Sequence, residues 1–192
     1  ESIWIESGKI LITAIHSLIV YIWVVLATMV FGSLAIVLSL LLPSSDPVHL
    51  VARAWARSIL IVSGIRVDVR GVAEIDPGRS YVYMCNHLSN FDIPVLLAHL
   101  PVQFRWLAKA ELFRIPLFGR AMRGAGYISI DRFNRDSAFA SINEAAARIQ
   151  QGVSVMIFPE GTRSRDGCLQ PFKKGGFVLA VDSGVPIVPL IM

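Results

Sequence analysis

The longest feature of the hydrophobic pattern is an uncharged run near the start of the chain. Residues 10–42 contain no Asp, Glu, Lys or Arg. As one helix this run would be about 50 Å long, whereas the hydrocarbon core of a bilayer is about 30 Å thick. The run is too long for a signal peptide and lacks a small-residue cleavage site. It therefore predicts a membrane-embedded segment, either one tilted span or two shorter segments bent near Gly32 and Ser33.

A second helix is predicted directly after this run. The sequence PSSDP at residues 43–47 breaks the first helix, and residues 48–63 then place Arg53 and Arg57 four positions apart on one helical face. Apolar residues occupy the other faces, which favours a helix lying at a membrane interface. A helix buried in a protein core is the alternative.

From residue 64 onward, short apolar runs alternate with segments of helical periodicity, which is typical of an α/β domain. We accordingly predict two parts: membrane-embedded and interfacial helices over residues 1–63, and an α/β domain over residues 64–192. Because the chain starts at Glu1 and stops at Met192 inside an apolar run, we expect a domain truncated at its C-terminal end. The predicted strands lie near residues 65–72, 80–85, 104–108, 127–131, 153–158 and 186–191. The predicted helices lie near residues 94–100, 116–123, 135–151 and 175–183.

Composition and charge favour a membrane-associated protein. Hydrophobic residues make up 54% of the chain and charged residues 17%, a balance shifted away from ordinary soluble domains. The net charge is +4, which indicates either an anionic partner or merely a basic solvated surface. Arginines follow the uncharged run, whereas Lys9 before it is offset by acidic residues, and this bias predicts a cytoplasmic C-terminal domain. Cys85 and Cys168 form no CxxC pattern, so we expect neither a disulfide framework nor a thiolate metal site.

The sequence YVYMCNHLSNFDIPVLL at residues 81–97 predicts a strand, a tight loop and the start of a helix. Asp92 suits a helix N-cap, and a proline follows in the first helical turn. If the loop folds back onto the helix start, His87 meets Asp92. A carboxylate fixes the tautomer of an imidazole and stabilises the imidazolium, which makes His87 a candidate general base. The alternative is an ordinary N-cap beside a loop histidine.

The sequence FPEGTRSR at residues 158–165 follows another apolar strand and predicts an anion-binding loop. Gly161 lets the chain turn closely past a ligand, Thr162 offers a hydroxyl, and Arg163 offers a guanidinium suited to phosphate. A basic hairpin loop is the alternative interpretation.

Two further places are candidate substrate-binding sites. Lys109 begins a charged stretch threaded with apolar residues, which is expected where a domain meets lipid and is also common on surface helices. Asp131 and Arg132 end a predicted strand, where the guanidinium could reach a phosphate or pair with Asp131 on the surface.

The segments NHLSNFD, GYISIDR, FPEGTRSR and VPIVPL occur in this order. Together they resemble the four sequence blocks of the glycerolipid acyltransferase family, in particular its 1-acyl-glycerol-3-phosphate acyltransferases. HxxxxD is a weakly specific motif, whereas FPEGTRSR after it is a strong one. The resemblance covers residues 64–192 and implies an α/β fold with a mixed sheet flanked by helices, preceded by an N-terminal membrane-embedded helical motif. It also implies that His87 is the general base with Asp92 as its partner. The implied acceptor residues are Asp131, Arg132, Glu160, Gly161, Thr162 and Arg163, and residues 185–190 are expected to border the acyl or acceptor pocket.

By this resemblance the protein moves a fatty acyl group from acyl-CoA or acyl carrier protein to the sn-2 hydroxyl of 1-acyl-glycerol-3-phosphate, giving phosphatidic acid. No metal, no cofactor beyond the acyl donor and no nucleic acid are expected. The expected location is a bacterial inner membrane, with the catalytic domain on the cytoplasmic face. The alternatives are an acyltransferase or transacylase acting on another lysophospholipid or on glycerol-3-phosphate, a hydrolase, and a non-enzymatic module that binds anionic lipid. No GxSxG segment occurs in the sequence, which argues against a serine lipase.

Overall fold

The structure is a computed structural model that describes residues 2–131 and 133–192. It contains a five-stranded sheet with helices on both faces, preceded by two long helices. The helices are α1 (Ser2–Leu41), α2 (Asp46–Ser63), α3 (Asp92–His99), α4 (Phe118–Gly124), α5 (Arg135–Gln150) and α6 (Gly175–Ser183). The strands are β1 (Val82–Cys85), β2 (Phe104–Lys109), β3 (Ile128–Ile130), β4 (Ser154–Ile157) and β5 (Ile187–Leu190). Short 3₁₀ turns occupy Val72–Glu74 and Ala110–Arg114.

The strands follow the order β3-β2-β4-β1-β5, and every pairing among the described strands is parallel. The predicted α/β fold with a sheet flanked by helices is confirmed, whereas the expectation of a mixed sheet is wrong for these strands. A crossover containing a helix follows each of β1 to β4 and returns the chain to the same end of the sheet, which makes the next strand parallel. The carboxyl ends of the strands consequently meet at one edge, where ligand sites of such sheets form.

Alternating side chains of the sheet build one core on each face. Tyr83 packs in a cluster with residues of α1 to α4, whereas its neighbour Val82 packs in a second cluster with α5 and α6. Because β1 is covered on both sides, all four of its residues are buried. Strand β1, whose carboxyl end leads into the His87 loop, therefore has no solvent-exposed face.

The N-terminal helices form an antiparallel pair that joins this core. Trp55 of α2 donates its indole N–H to Thr28 Oγ1 of α1 at 3.1 Å, and Ala56 and Leu60 are buried in the same cluster as the sheet. The core-helix alternative thus holds for this face of α2, while Arg57 on another face is exposed. The predicted division of the chain into N-terminal helices over residues 1–63 and an α/β domain over residues 64–192 stays a prediction.

Helix α1 runs without interruption through Gly32, so it forms one segment rather than two. It is long and apolar enough to cross a membrane by length and composition. Glycine at position 32 serves close packing: a Cβ there would lie 2.3 Å from Leu117 Cδ2. Leu117 itself has a positive φ of 62°, within a tight turn in which Phe118 N–H donates to Pro116 O at 2.7 Å.

The strand predicted near residues 65–72 is wrong. Residues 65–70 carry no secondary structure, and Val72–Glu74 is a 3₁₀ turn. The alternation of Ile65, Val67 and Val69 with charged residues imitates a half-buried strand, but Ile65 and Val69 are exposed. A strand also requires a partner, and this segment pairs with no described strand.

Candidate active site

The loop between β1 and α3 places an imidazole against a carboxylate at the carboxyl edge of the sheet. His87 Nδ1 lies 2.7 Å from Asp92 Oδ2, and the two side chains are 14% and 6% exposed. An ionised carboxylate only accepts hydrogen bonds, so Nδ1 carries the proton and Nε2 is left with a free lone pair. The predicted contact between the two side chains is present, and their catalytic roles stay a prediction.

Asp92 orders the loop through the same oxygen that contacts the imidazole. Its Oδ2 accepts the backbone N–H of Leu88 at 2.7 Å and of Ser89 at 2.9 Å. Asp92 is the first helical residue, and Phe91 occupies the cap position that we expected for Asp92. The carboxylate points back to the loop because the chain reverses there, so it satisfies loop amides rather than those of the helix.

Aromatic rings fix the plane of the imidazole. Phe158, which follows β4, stacks on His87 with ring centroids 3.9 Å apart and an interplanar angle of 8°. Trp106 of β2 also stacks on Phe158, with ring centroids 5.3 Å apart. A ring held in this way, with its Nδ1 bound to Asp92, retains a defined direction for Nε2. The sequence contained no pattern that predicted this stack, because its three rings come from three separate segments: β2, the loop after β1 and the loop after β4.

The loop after β4 is bonded to the backbone of His87. Glu160 is 2% exposed; its Oε1 accepts the N–H of His87 at 2.7 Å, and its Oε2 accepts the N–H of Gln170 at 2.8 Å. Ser164 N–H in turn donates to His87 O at 2.8 Å. Gly161 has a φ of 75°, in the left-handed region, which allows the sharp turn between these contacts.

An apolar cavity of about 240 Å³ opens beside His87. Lys109 at the end of β2 and Gly161, Thr162 and Arg163 of the loop after β4 also line it. The side chains of Lys109 and Arg163 are exposed and have no hydrogen-bond or ion-pair partner within residues 2–131 and 133–192. Two basic side chains and the His87 imidazole thus border the same cavity.

Most of the cavity wall is apolar and comes from the N-terminal helices and the segment around α4. The residues from α1 are Thr28, Phe31, Gly32 and Ala35, and those from α2 are Val48, Val51, Ala52 and Trp55. We predicted the first helix as membrane-embedded and the second as interfacial or buried in a core, and missed their part in the site. Neither hydrophobicity nor periodicity distinguishes a residue facing a cavity from one facing lipid or a core.

The Acyltransferase family model matches residues 66–192, more than half of the chain. The chain belongs to the Acyltransferase family. It is 37% identical over 145 residues to the chloroplastic 1-acyl-sn-glycerol-3-phosphate acyltransferase BAT2 of Brassica napus, covering 75% of this chain and 42% of that protein. It is 40% identical over 143 residues to 1-acyl-sn-glycerol-3-phosphate acyltransferase alpha of Homo sapiens, covering 74% and 50%. The chain spans about half the length of these curated relatives.

A solved structure has the same fold over most of the chain. It is the 1-acyl-sn-glycerophosphate (LPA) acyltransferase PlsC from Thermotoga maritima, with a TM-score of 0.75 and 27% sequence identity. The superposition covers 92% of this chain and 72% of that one. The similarity therefore extends from the sheet to the N-terminal helices, which lie outside the matched family region.

Two predicted site regions of this Acyltransferase-family chain, Asp131 and residues 185–190, are not part of the described cavity lining. Asp131 follows β3 at the outer edge of the sheet, and its Oδ1 accepts the N–H of Phe133 at 3.0 Å. Arg132 falls outside the described residues. Residues 185–190 include β5, which pairs with β1, and they do not belong to the described cavity lining. Their roles in acceptor binding stay predictions.

Cys85 ends β1 two residues before His87, yet its surroundings disfavour a nucleophilic thiolate. Burial raises its pKa to about 12, with further contributions from the carboxylates of Asp92 and Glu160. The thiolate, not the thiol, is the nucleophile in covalent catalysis. Cys85 is therefore not an activated nucleophile, although it lies beside the His87–Asp92 pair.

Proposed function

We propose that this protein is an O-acyltransferase that moves a fatty acyl group from a thioester to the sn-2 hydroxyl of 1-acyl-glycerol-3-phosphate. The observation that carries the proposal is the His87–Asp92 pair at 2.7 Å, bordering an apolar cavity that Lys109 and Arg163 also line. An amphiphilic acceptor with a phosphate and an acyl chain matches these three features. The relatives are named 1-acyl-sn-glycerol-3-phosphate or 1-acyl-sn-glycerophosphate acyltransferases, and these names point to the same acceptor.

In the proposed reaction, His87 Nε2 takes the proton from the acceptor hydroxyl as its oxygen attacks the thioester carbonyl. The C–O bond forms, the C–S bond breaks, and the imidazolium returns the proton to the departing thiolate. Asp92 holds the reactive tautomer and stabilises the imidazolium. The transfer is redox-neutral and its base is a side chain, so we propose no cofactor besides acyl-CoA or acyl carrier protein as co-substrate.

The acceptor phosphate is proposed to bind Lys109 and Arg163. Both are exposed cations that line the cavity, and a guanidinium forms charge-assisted hydrogen bonds with phosphate oxygens. Phosphate binding at a fixed distance from His87 places the hydroxyl of the bound acceptor, and such positioning supplies a large part of enzymatic rate enhancement. The proposal therefore predicts a preference for phosphorylated acceptors.

We further propose that α1 is embedded in a membrane, with the sheet on the cytoplasmic face of a bacterial inner membrane. Ile12, Leu18, Tyr21 and Leu40 are among its large exposed apolar residues, and lipid is the environment that makes such exposure favourable. Since α1 also lines the cavity, the proposed membrane helix forms part of the wall of the site.

A thiol-release assay on purified protein in detergent or vesicles tests the proposal. The donors are acyl-CoA and acyl carrier protein, and the acceptors are lysophosphatidate, glycerol-3-phosphate, lysophosphatidylcholine and monoacylglycerol. We expect thiol release that depends on lysophosphatidate and yields phosphatidate, with no transfer by His87→Ala. Thiol release without an acceptor would indicate a hydrolase. Lipid binding without any thiol release would indicate a binding module, and either result would refute the proposal.

A further inference from the structure

We infer that Glu160 is a positioning residue that joins the loop of the base to the loop of the acceptor phosphate, rather than a ligand of the phosphate. The inference rests on the proposed function and assigns Glu160 a role different from the one that family resemblance implies. Its basis is the environment of the carboxylate, which is 2% exposed and bonded through each oxygen to a backbone amide.

The two amides belong to the two loops that the reaction must bring together. Oε1 accepts from His87 N at 2.7 Å, and Oε2 accepts from Gln170 N at 2.8 Å, near the end of the loop that begins with Glu160 itself. Ser164 N donates to His87 O at 2.8 Å. The backbone of His87 is therefore bonded on both its N–H and its C=O to the loop that carries Arg163.

A phosphate-binding role conflicts with the chemistry of this carboxylate. An ionised carboxylate offers only acceptors, and so does a phosphate dianion, so the two groups cannot share a hydrogen bond. Their like charges would also repel each other at close range. Glu160 is buried, whereas Lys109 and Arg163 are exposed at the cavity and can meet a phosphate directly.

The consequence is that the base and the phosphate-binding arginine form one rigid unit. Asp92 fixes the ring of His87, and Glu160 with Ser164 fixes its backbone. Loss of the Glu160 contacts would leave the acceptor bound to Arg163 but would displace Nε2 from its hydroxyl. A displacement of about 1 Å can cost on the order of 10²-fold in rate.

Two substitutions separate the reach of the side chain from its charge. Glu160→Gln keeps the length of the side chain but replaces one carboxylate oxygen by a carboxamide NH2. This group is a donor, so one of the two backbone N–H groups loses its acceptor. Glu160→Asp keeps the charge but is one methylene shorter and cannot span both amides. A positioning role predicts that both variants lower kcat by about 10- to 100-fold while the acceptor KM stays within about threefold.

The control is Glu144→Gln on α5, which removes a carboxylate that pairs with Arg148 at 2.7 Å on the surface. We expect parent values of kcat and KM for it. Acceptor affinity is also measured by titrating lysophosphatidate into His87→Ala and into the His87→Ala, Glu160→Gln double variant. Equal affinity within about threefold is expected. A raised acceptor KM or weakened binding with kcat unchanged would overturn the inference and restore Glu160 as a phosphate ligand.

Hydrogen exchange gives a readout that does not depend on activity. Peptides containing the amides of His87 and Gln170 should exchange faster in Glu160→Gln than in the parent, while peptides from α5 should exchange at the parent rate. Uniformly faster exchange, or a kcat per folded protein equal to the parent's, would refute the positioning role. If the parent protein transfers no acyl group at all, the proposed function fails instead, and local exchange at these amides still decides whether Glu160 joins the two loops.

Discussion

Replacing Asp92 by Asn should separate the charge of this residue from its shape. All three hydrogen bonds to Asp92 converge on Oδ2, from His87 Nδ1, Leu88 N and Ser89 N, at 2.7 to 2.9 Å. The single oxygen of an asparagine can occupy this position and accept from the same three donors. The loop and the imidazole tautomer are therefore expected to survive in Asp92→Asn, and the negative charge is lost.

The expected size of the effect follows from the bond to the imidazole. Hydrogen bonds to charged groups contribute about 1.5–3 kcal/mol and neutral ones about 0.5–1.5 kcal/mol. Asp92→Asn should therefore remove about 1–2 kcal/mol of the stabilisation of the imidazolium that forms in the reaction. This loss corresponds to a rate roughly 5- to 30-fold lower. Asp92→Ala removes every acceptor and leaves the amides of Leu88 and Ser89 unpaired, at about 1–3 kcal/mol each. We expect Asp92→Ala to be both nearly inactive and destabilised by about 2–6 kcal/mol.

The measurements are kcat from the thiol-release assay and thermal unfolding of both variants, with His87→Ala as the inactive reference. Asp92→Asn should unfold close to the parent temperature, and Asp92→Ala well below it. An Asp92→Asn protein as inactive as His87→Ala would mean that its amide group faces the imidazole and sets the wrong tautomer. A parent rate for Asp92→Asn would show that the carboxylate charge has no part in the reaction.

Three further predictions concern binding, mechanism and pH. Arg163→Ala should raise the acceptor KM by about 10- to 100-fold through the lost charge-assisted bonds, and a defect only in the donor KM would contradict this. Cys85→Ala and Ser89→Ala should keep most activity, and acyl-CoA without acceptor should leave no label on the denatured protein; label lost with either substitution would indicate a covalent intermediate. Burial lowers the pKa of His49 from 6.5 to about 3, so below about pH 6.5 the unfolded chain binds a proton that the folded chain excludes. Stability should fall with decreasing pH by up to about 1.4 kcal/mol per unit in this range, and His49→Gln should show a smaller loss between pH 7 and pH 5 in thermal unfolding.

Local features of the fold and site were accessible from the sequence. The strand-loop-helix around His87, the loop after β4 and the alternation of strands and helices are encoded by neighbouring residues. Hydrophobic periodicity, turn residues and helix breakers act over a few positions, so their structural effects can be predicted from the order of the residues along the chain. The same locality explains the wrong strand near residues 65–72, where the alternating pattern was present but no partner strand was.

Contacts between distant segments were decided by the tertiary structure. Glu160 bonds the amide of a residue 73 positions away, the His87 ring stacks on Phe158 of another strand's end, and Gly32 in the long apolar helix packs on Leu117 and lines the cavity. The residue types at these positions permit many partners, and the one realised depends on which strands become neighbours in the sheet. The sequence by itself marked His87 as a candidate base and residues 158–165 as a candidate anion-binding loop, and the parallel order β2-β4-β1 placed the strands before these two segments side by side.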